Sequence, residues 1–268
     1  MNRTELLPDR PGIPPMAKMP EPEIIDVVAL AGALSRGEYD CVCVLGPTAS
    51  GKTRHAVHLA HQLRGEILSA DSRQVYKGMD IGTGKDLAEY GDVPYHLIDI
   101  VPAGEKYNIY QYQAAFAEAY ADVKRRGAVP IICGGSGLYI EAATRAYKFE
   151  KGNGVPPEML PQKVFYIGTL VSREERVARI DARLSARLKE GLVEEVRGLM
   201  ESIPADDLIY YGLEYKFVTE YILGEHGYEE MEILLGNAIH QFAKRQMTWF
   251  RGMERDGVRI HWVLPNQK

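Results

Sequence analysis

The chain has 268 residues and a net charge of −5, with 32 lysines and arginines against 37 aspartates and glutamates. That length can bury a full core and fits one large domain, while the mild acidity excludes a global basic field for nucleic acid, so any such binding needs a local patch. No apolar run is long enough to span a bilayer, and the signal-like stretch Val27 to Leu34 follows acidic, proline-rich Pro20-Glu-Pro-Glu23 instead of a basic region. Neither membrane insertion nor secretion is expected, and the cytoplasm is the default.

In chain order, residues 1–38 read as a flexible proline-rich arm (Pro8, Pro11, Pro14, Pro15, Pro20, Pro22) with a short helix over Glu23 to Leu34. From Tyr39 the pattern becomes strand, glycine turn, helix, repeated, with strands near 40–45, 66–70, 95–100, 129–133, 163–170 and 258–264. This predicts an α/β fold, a mostly parallel sheet flanked by helices, over 39–268. Cys41, Cys43 and Cys133 fall in predicted core strands without paired metal spacing, so they are expected to be reduced packing residues.

Gly46-Pro47-Thr48-Ala49-Ser50-Gly51-Lys52-Thr53 is a complete phosphate-binding P-loop between an apolar strand and the helical spacing of Val57, Ala60 and Leu63. Its successive N–H groups make an anion nest, the helix adds the positive end of its dipole, Lys52 supplies charge, and the Thr53 hydroxyl can ligate Mg²⁺. In such sheets ligands collect beyond the carboxyl ends of the strands. Asp71 and Ser72 follow the second strand there, and Gly134-Gly-Ser136-Gly137 follows the fourth.

Each of these has competing readings. Asp71 fits a structural or Mg²⁺-positioning aspartate as well as a general base. The second glycine turn can face the cleft or serve close packing alone. A helix opening at Ser172, with a capping box to Glu175, carries Arg176, Arg179, Arg183 and Arg187 beside the apolar stripe Val177, Ile180, Leu184 and Leu188. That row is either functional or a solvated face balanced by Glu174, Glu175 and Glu194.

Taken together, the P-loop, Ser69-Ala-Asp-Ser-Arg-Gln-Val-Tyr-Lys-Gly-Met-Asp-Ile-Gly-Thr83, Tyr95-His-Leu-Ile-Asp99, Gly134-Gly-Ser-Gly-Leu-Tyr139 and Ala243-Lys-Arg-Gln-Met-Thr-Trp249 resemble the tRNA dimethylallyltransferase (isopentenyltransferase) family, in order from about residue 41 to 251. The resemblance implies a P-loop NTPase-like prenyltransferase domain that moves a dimethylallyl group from dimethylallyl diphosphate to N6 of the adenine beside the anticodon of tRNA. It implies that Gly46, Pro47, Thr48, Ala49, Ser50, Gly51, Lys52 and Thr53 bind the diphosphate, with Mg²⁺ at Thr53, and that Asp71 takes the N6 proton. Ser136 and Arg183 complete the expected catalytic set. Ser72, Arg73 and Gln74 would touch RNA near the target base, and Arg179, Lys244 and Arg245, with His240, would hold the anticodon stem-loop. No stable protein partner is implied.

Three departures accompany the match. Ser136 stands where the family usually has threonine, Tyr211-Gly212-Leu213 replaces its usual glycine-tyrosine pair, and its long helical insertion is reduced to Leu138 to Gln162, in which Tyr147 to Pro157 reads as a short loop. The expectation is therefore a compact tRNA dimethylallyltransferase. Its alternatives are prenyl transfer to a free adenine nucleotide, and an ATP-using P-loop phosphotransferase or lapsed nucleotide-binding module.

Overall fold

A computed structural model describes residues 20–145 and 154–265. The expected arm, and the expected loop from Tyr147 onward, thus lie largely outside the described residues. The helix expected near residues 23–34 is α1 (Val27–Ser35), capped by the Asp26 side chain, which accepts from Ala29 N. It packs Leu30 and Ala33 inward.

The central sheet holds β1 (Cys41–Leu45), β2 (Gly65–Ser69), β4 (Tyr95–His96), β6 (Val129–Gly134), β7 (Val164–Thr169) and β8 (Ile260–Val263) in the order β4-β2-β6-β1-β7-β8. All five pairings are parallel. A separate parallel pair joins β3 (Tyr76–Lys77) to β5 (Val101–Pro102). Between them run α2 (Lys52–Leu63), α3 (Ile109–Arg125), α4 (Gly137–Thr144), α5 (Arg173–Glu190), α6 (Leu192–Leu199), α7 (Ala205–Tyr210), α8 (Leu213–Ile222) and α9 (Tyr228–Arg255).

Strand alternation divides the core into two layers. Cys41, Cys43 and Leu45 of β1 join the larger cluster, with α3, α4, α5 and α9, whereas Val42 and Val44 join the smaller one under α1 and α2. All three cysteines are free and buried.

Two local expectations need correction. The strand expected over 95–100 pairs only at Tyr95 and His96, because Leu97 (φ 67°) and Asp99 (φ 56°) turn left-handed. There Asp99 N–H donates to the Gln74 carbonyl (3.0 Å), and buried Lys85 binds Asp99, Asp80 (2.6 Å) and the Tyr76 carbonyl (2.7 Å). These bonds pull the chain off the sheet to knit the 74–102 segment. At the start of α5 only half of the capping box forms: Ser172 Oγ accepts from Glu175 N (3.1 Å), while the Glu175 carboxylate pairs with Arg179.

The chain leaves β1 towards β2 on one side, and leaves β6 towards β7 on the other. The crevice beyond the carboxyl ends of β1 and β6 is therefore the topological switch point, where open α/β sheets bind ligands.

Candidate active site

The P-loop follows β1 into this crevice. A side chain on Gly46 would overlap Thr169 and stand 2.6 Å from Ser50 Oγ, so only glycine lets the loop fold against β7. The Ser50 hydroxyl is spent on Thr169 Oγ1 (2.6 Å, buried) and its N–H donates to the Pro47 carbonyl (3.3 Å), so Ser50 holds the shape of the loop. Ala49 (φ 60°) and Gly51 (φ 81°) turn left-handed and curl the loop into a nest. Gly51 caps α2 with no side-chain bond and no acidic residue follows in the first turn, so the first N–H groups and the dipole of α2 are left for an anion.

Burial pushes the Lys52 ammonium below its ordinary range; Cys133 and Asp71 push it back up, and Arg183 pushes it down. Lys52, Asp71 and Arg183 therefore share one electrostatic neighbourhood. Burial likewise raises the Cys133 thiol to about 11, opposed by Lys52 and by a bond with the Thr53 hydroxyl, and reinforced by Asp71.

Asp71 opens a tight turn after β2. Its Oδ1 accepts from Arg73 N (2.9 Å), which fixes the carboxylate and leaves Oδ2 without a protein donor among the described residues. Ser136 Oγ accepts from Ser72 N (3.0 Å) and donates to Ser72 Oγ (3.2 Å), so Ser136 braces the Asp71 turn. The neighbouring glycines have packing reasons: a Cβ on Gly134 would overlap the Ala70 carbonyl, and one on Gly137 the Trp249 ring. The glycines thus serve close approach, while the Ser136 hydroxyl is engaged with Ser72.

Residues expected at RNA are held by protein contacts. Gln74 accepts from Ser69 Oγ (3.2 Å) and donates to the Gly84 carbonyl (3.2 Å), and Arg73 Nη1 donates to the Tyr210 carbonyl (3.2 Å). Arg179 Nη1 lies 3.8 Å from where a Gly51 Cβ would stand, on the P-loop side of α5. His240 binds Asp181 (2.8 Å), separating it from Lys244 and Arg245, which are exposed and have no ion pair among the described residues.

The arginine row divides: Arg179 pairs with Glu175 as a balanced surface face would, whereas Arg183 and Arg187 turn inward. Arg183 donates to the Gly84 carbonyl (3.2 Å) and pairs with Asp86; Arg187 is 8% exposed and pairs with Glu214 (3.4 Å). Burial, then Arg183, depress the Arg187 pKa, and burial raises that of Glu214. Gly84 (φ 60°) admits both guanidinium groups, since a side chain there would overlap them.

Two organising residues carry no role in the sequence reading. Glu195 accepts from the successive N–H groups of Asp80 (2.9 Å), Ile81 (2.7 Å) and Gly82 (3.0 Å) and from the Tyr215 hydroxyl (2.7 Å), clamping the segment that presents Gly84 and Asp86 to Arg183. Gln246 joins the P-loop to the Gly135 turn. It stands inside the 243–249 motif, the one signal that could have singled it out; Glu195, an acidic residue on an amphipathic helix, offered none.

A P-loop cradle at the switch point of a parallel sheet, faced by a positioned carboxylate and inward arginines, defines a group-transfer enzyme acting on a phosphorylated donor. Comparison with known proteins makes that specific. The family described as IPP transferase matches residues 74–159 and 147–253, and the one described as isopentenyl transferase matches residues 39–90. A protein called tRNA dimethylallyltransferase 2 from Porphyromonas gingivalis is 48% identical over 280 aligned positions, covering 83% of this chain and 93% of its own. A tRNA dimethylallyltransferase 1 from Parabacteroides distasonis is 45% identical, covering 86% and 95%. The solved tRNA isopentenylpyrophosphate transferase of Bacillus halodurans superposes with a TM-score of 0.74 at 28% identity, covering 84% of this chain and 90% of that one. A eukaryotic dimethylallyltransferase shares the fold at 18% identity, with a TM-score of 0.72. The chain belongs to the isopentenyltransferase family. Because 280 aligned positions draw on only 83% of 268 residues, the Porphyromonas protein contains segments with no counterpart here, in keeping with the reduced insertion.

Proposed function

We propose that the chain, with 39–268 as its catalytic domain, transfers a dimethylallyl group from dimethylallyl diphosphate to N6 of the adenine beside the anticodon of tRNA, in the cytoplasm. Its support is the convergence in one crevice of a P-loop, Lys52 and Arg183 with an aspartate whose second oxygen is unspent. Family membership sets aside the phosphotransferase reading. Among the described residues no helix is long and apolar enough to cross a membrane.

The N6 lone pair is delocalised into the adenine ring, so the leaving group and proton removal must share the barrier. As the N6–C1 bond forms and the C1–O bond to diphosphate breaks, charge develops on the departing diphosphate. The nest amides, Lys52 and Arg183 neutralise that charge, and removing one such donor costs roughly 10²–10³ in rate. Asp71 Oδ2 takes the N6 proton, and Ser136 holds the Asp71 turn in place. The target base must leave its stack to reach Asp71.

The donor set fits Mg²⁺. Thr53 is in the first turn of α2, directly after the P-loop, and Asp71 follows β2 with its Oδ2 unspent, and a P-loop Mg²⁺ takes few protein ligands beside substrate phosphates and water. That agrees with the lack, among the described residues, of a cluster of three acidic, histidine or cysteine ligands. When bound, Mg²⁺ supplies charge neutralisation at the diphosphate oxygens.

Arg73, held at the rim by Tyr210, and the exposed Lys244 and Arg245 supply the RNA contacts. The shortened 138–162 stretch favours a second reading, a free adenine nucleotide as acceptor. Incubation with dimethylallyl diphosphate and unmodified tRNA, followed by nucleoside digestion and mass spectrometry, should yield N6-dimethylallyladenosine from the anticodon loop. Its absence, with the enzyme folded and Mg²⁺ present, contradicts the proposal.

A further inference from the structure

The outer end of the P-loop is closed by a side chain from the opposite end of the sequence. Gln246, on α9, is 5% exposed; its Oε1 accepts from Thr48 N (2.8 Å) and its Nε2 donates to the Gly135 carbonyl (2.9 Å). The orientation of this amide is fixed by its partners, because reversing it would set N–H against N–H and oxygen against oxygen. There is no slack around it. A Cβ on Gly135 would stand 2.5 Å from Nε2 and 3.1 Å from the Gly46 carbonyl, and one turn along α9 the Trp249 ring fills the space against Gly137.

The consequence concerns the length of the anion. A P-loop binds a phosphate chain by presenting successive amides along it. Here the Thr48 amide already has a neutral acceptor, and the Ser50 hydroxyl is spent on Thr169. Ser50 N–H is donated to the Pro47 carbonyl (3.3 Å), so the free loop donors are the Ala49 amide and the amides from Gly51 to Thr53, with the Lys52 ammonium beside them. A further phosphate directed towards Thr48 would find no N–H, and it would meet the carboxamide oxygen of Gln246, a lone pair facing a negative charge. Rejection by an occupied and mismatched polar position is the kind of discrimination that polar sites achieve well.

We infer that Gln246 sets the polyphosphate length of the donor site, so that the cradle accepts a diphosphate and excludes a triphosphate chain. This rests on the reading of the P-loop as the diphosphate site. It assigns to α9 a part in donor selection, the exclusion of triphosphates from a loop with the signature of nucleotide-binding proteins.

The matched probes are dimethylallyl diphosphate and dimethylallyl triphosphate, which share the prenyl end and differ by one phosphate at the closed end. Their dissociation constants are measured by calorimetry with Mg²⁺ for the full chain and for Gln246→Ala and Gln246→Leu. The wild type should prefer the diphosphate by roughly tenfold or more. Gln246→Ala, which empties the space and frees the Thr48 amide, should bring the ratio to within about threefold, and Gln246→Leu, which keeps the volume, should still exclude the triphosphate. A wild type that binds both compounds alike overturns the inference without recourse to any variant. So does a ratio unchanged in a Gln246→Ala protein that melts cooperatively. A wild type that binds neither compound instead removes the underlying reading of the P-loop.

Discussion

Replacing Glu195 by glutamine tests whether the clamp on residues 80–82 positions Arg183. The carboxylate divides its work evenly: Oε2 accepts from Asp80 N (2.9 Å) and Ile81 N (2.7 Å), and Oε1 from Gly82 N (3.0 Å) and the Tyr215 hydroxyl (2.7 Å). Glutamine keeps one acceptor oxygen. Its best orientation leaves that oxygen on the Asp80 and Ile81 side and turns the NH₂ to Tyr215, whose hydroxyl can rotate to accept, while Gly82 N–H faces another donor. One hydrogen bond to a charged group is lost outright, worth about 1.5–3 kcal/mol. For a chain of this size a loss of about 2 kcal/mol lowers Tm by roughly 4–8 °C. The loosened segment carries the Gly84 carbonyl and Asp86 that hold Arg183, so kcat/KM for the diphosphate donor should fall roughly tenfold, equivalent to about 1.4 kcal/mol. Tyr215→Phe, which leaves all three backbone donors paired, should lose less of both. Differential scanning calorimetry and steady-state donor kinetics read the two effects. A Glu195→Gln protein that melts with the wild type and keeps its donor kcat/KM refutes the reasoning.

Asp71→Asn should keep donor affinity while turnover falls by roughly 10²–10⁴, the contribution of a positioned base; surviving turnover with an altered Mg²⁺ requirement would make Asp71 a metal-side residue instead. Lys52 is depressed chiefly by burial, and a bound diphosphate favours its charged form, so donor affinity should be full below the depressed pKa and decline as pH rises through it towards the bound-state value. Lys52→Arg, which stays charged, should flatten that alkaline decline, and a donor Kd independent of pH in the wild type would rule out the assignment. Gly134→Ala forces a methyl into the Ala70 carbonyl and should destabilise by about 3 kcal/mol, whereas Gly198→Ala, in α6 with nothing within 4 Å, should be neutral or slightly stabilising; equal melting temperatures for the two would contradict the close approach of β2 and β6.

What could be read from the sequence was what is local. The P-loop announces itself because strand, glycines, lysine and helix are contiguous, and strand ends point to Asp71 and Ser136 because a parallel sheet gathers its loops at one edge. The 95–100 segment misled because its composition suits a strand, while its course is decided by Lys85 and Asp99, whose bond no periodicity reveals. For the arginines of α5 the pattern was ambiguous in itself: a row beside an apolar stripe looks the same whether it meets water or the 84–86 loop. Gln246 and Glu195 were hidden for another reason. Their partners stand 198 and 111 positions away for Gln246, and 113 to 115 away for the backbone donors of Glu195, so only the folded chain brings these buried polar groups to the site.

A chain with a reduced insertion should still prenylate tRNA. The most direct measurement compares kcat/KM for labelled dimethylallyl transfer to unmodified tRNA and to AMP, at low salt and again as salt is raised. Transfer to tRNA is expected at low salt, with little or none to AMP and a modest decline as salt rises, because few phosphate contacts remain and each contributes a slope of about −0.9 in a duplex. AMP prenylated as efficiently as tRNA, or tRNA transfer indifferent to salt, would contradict that expectation and assign the enzyme to free nucleotides.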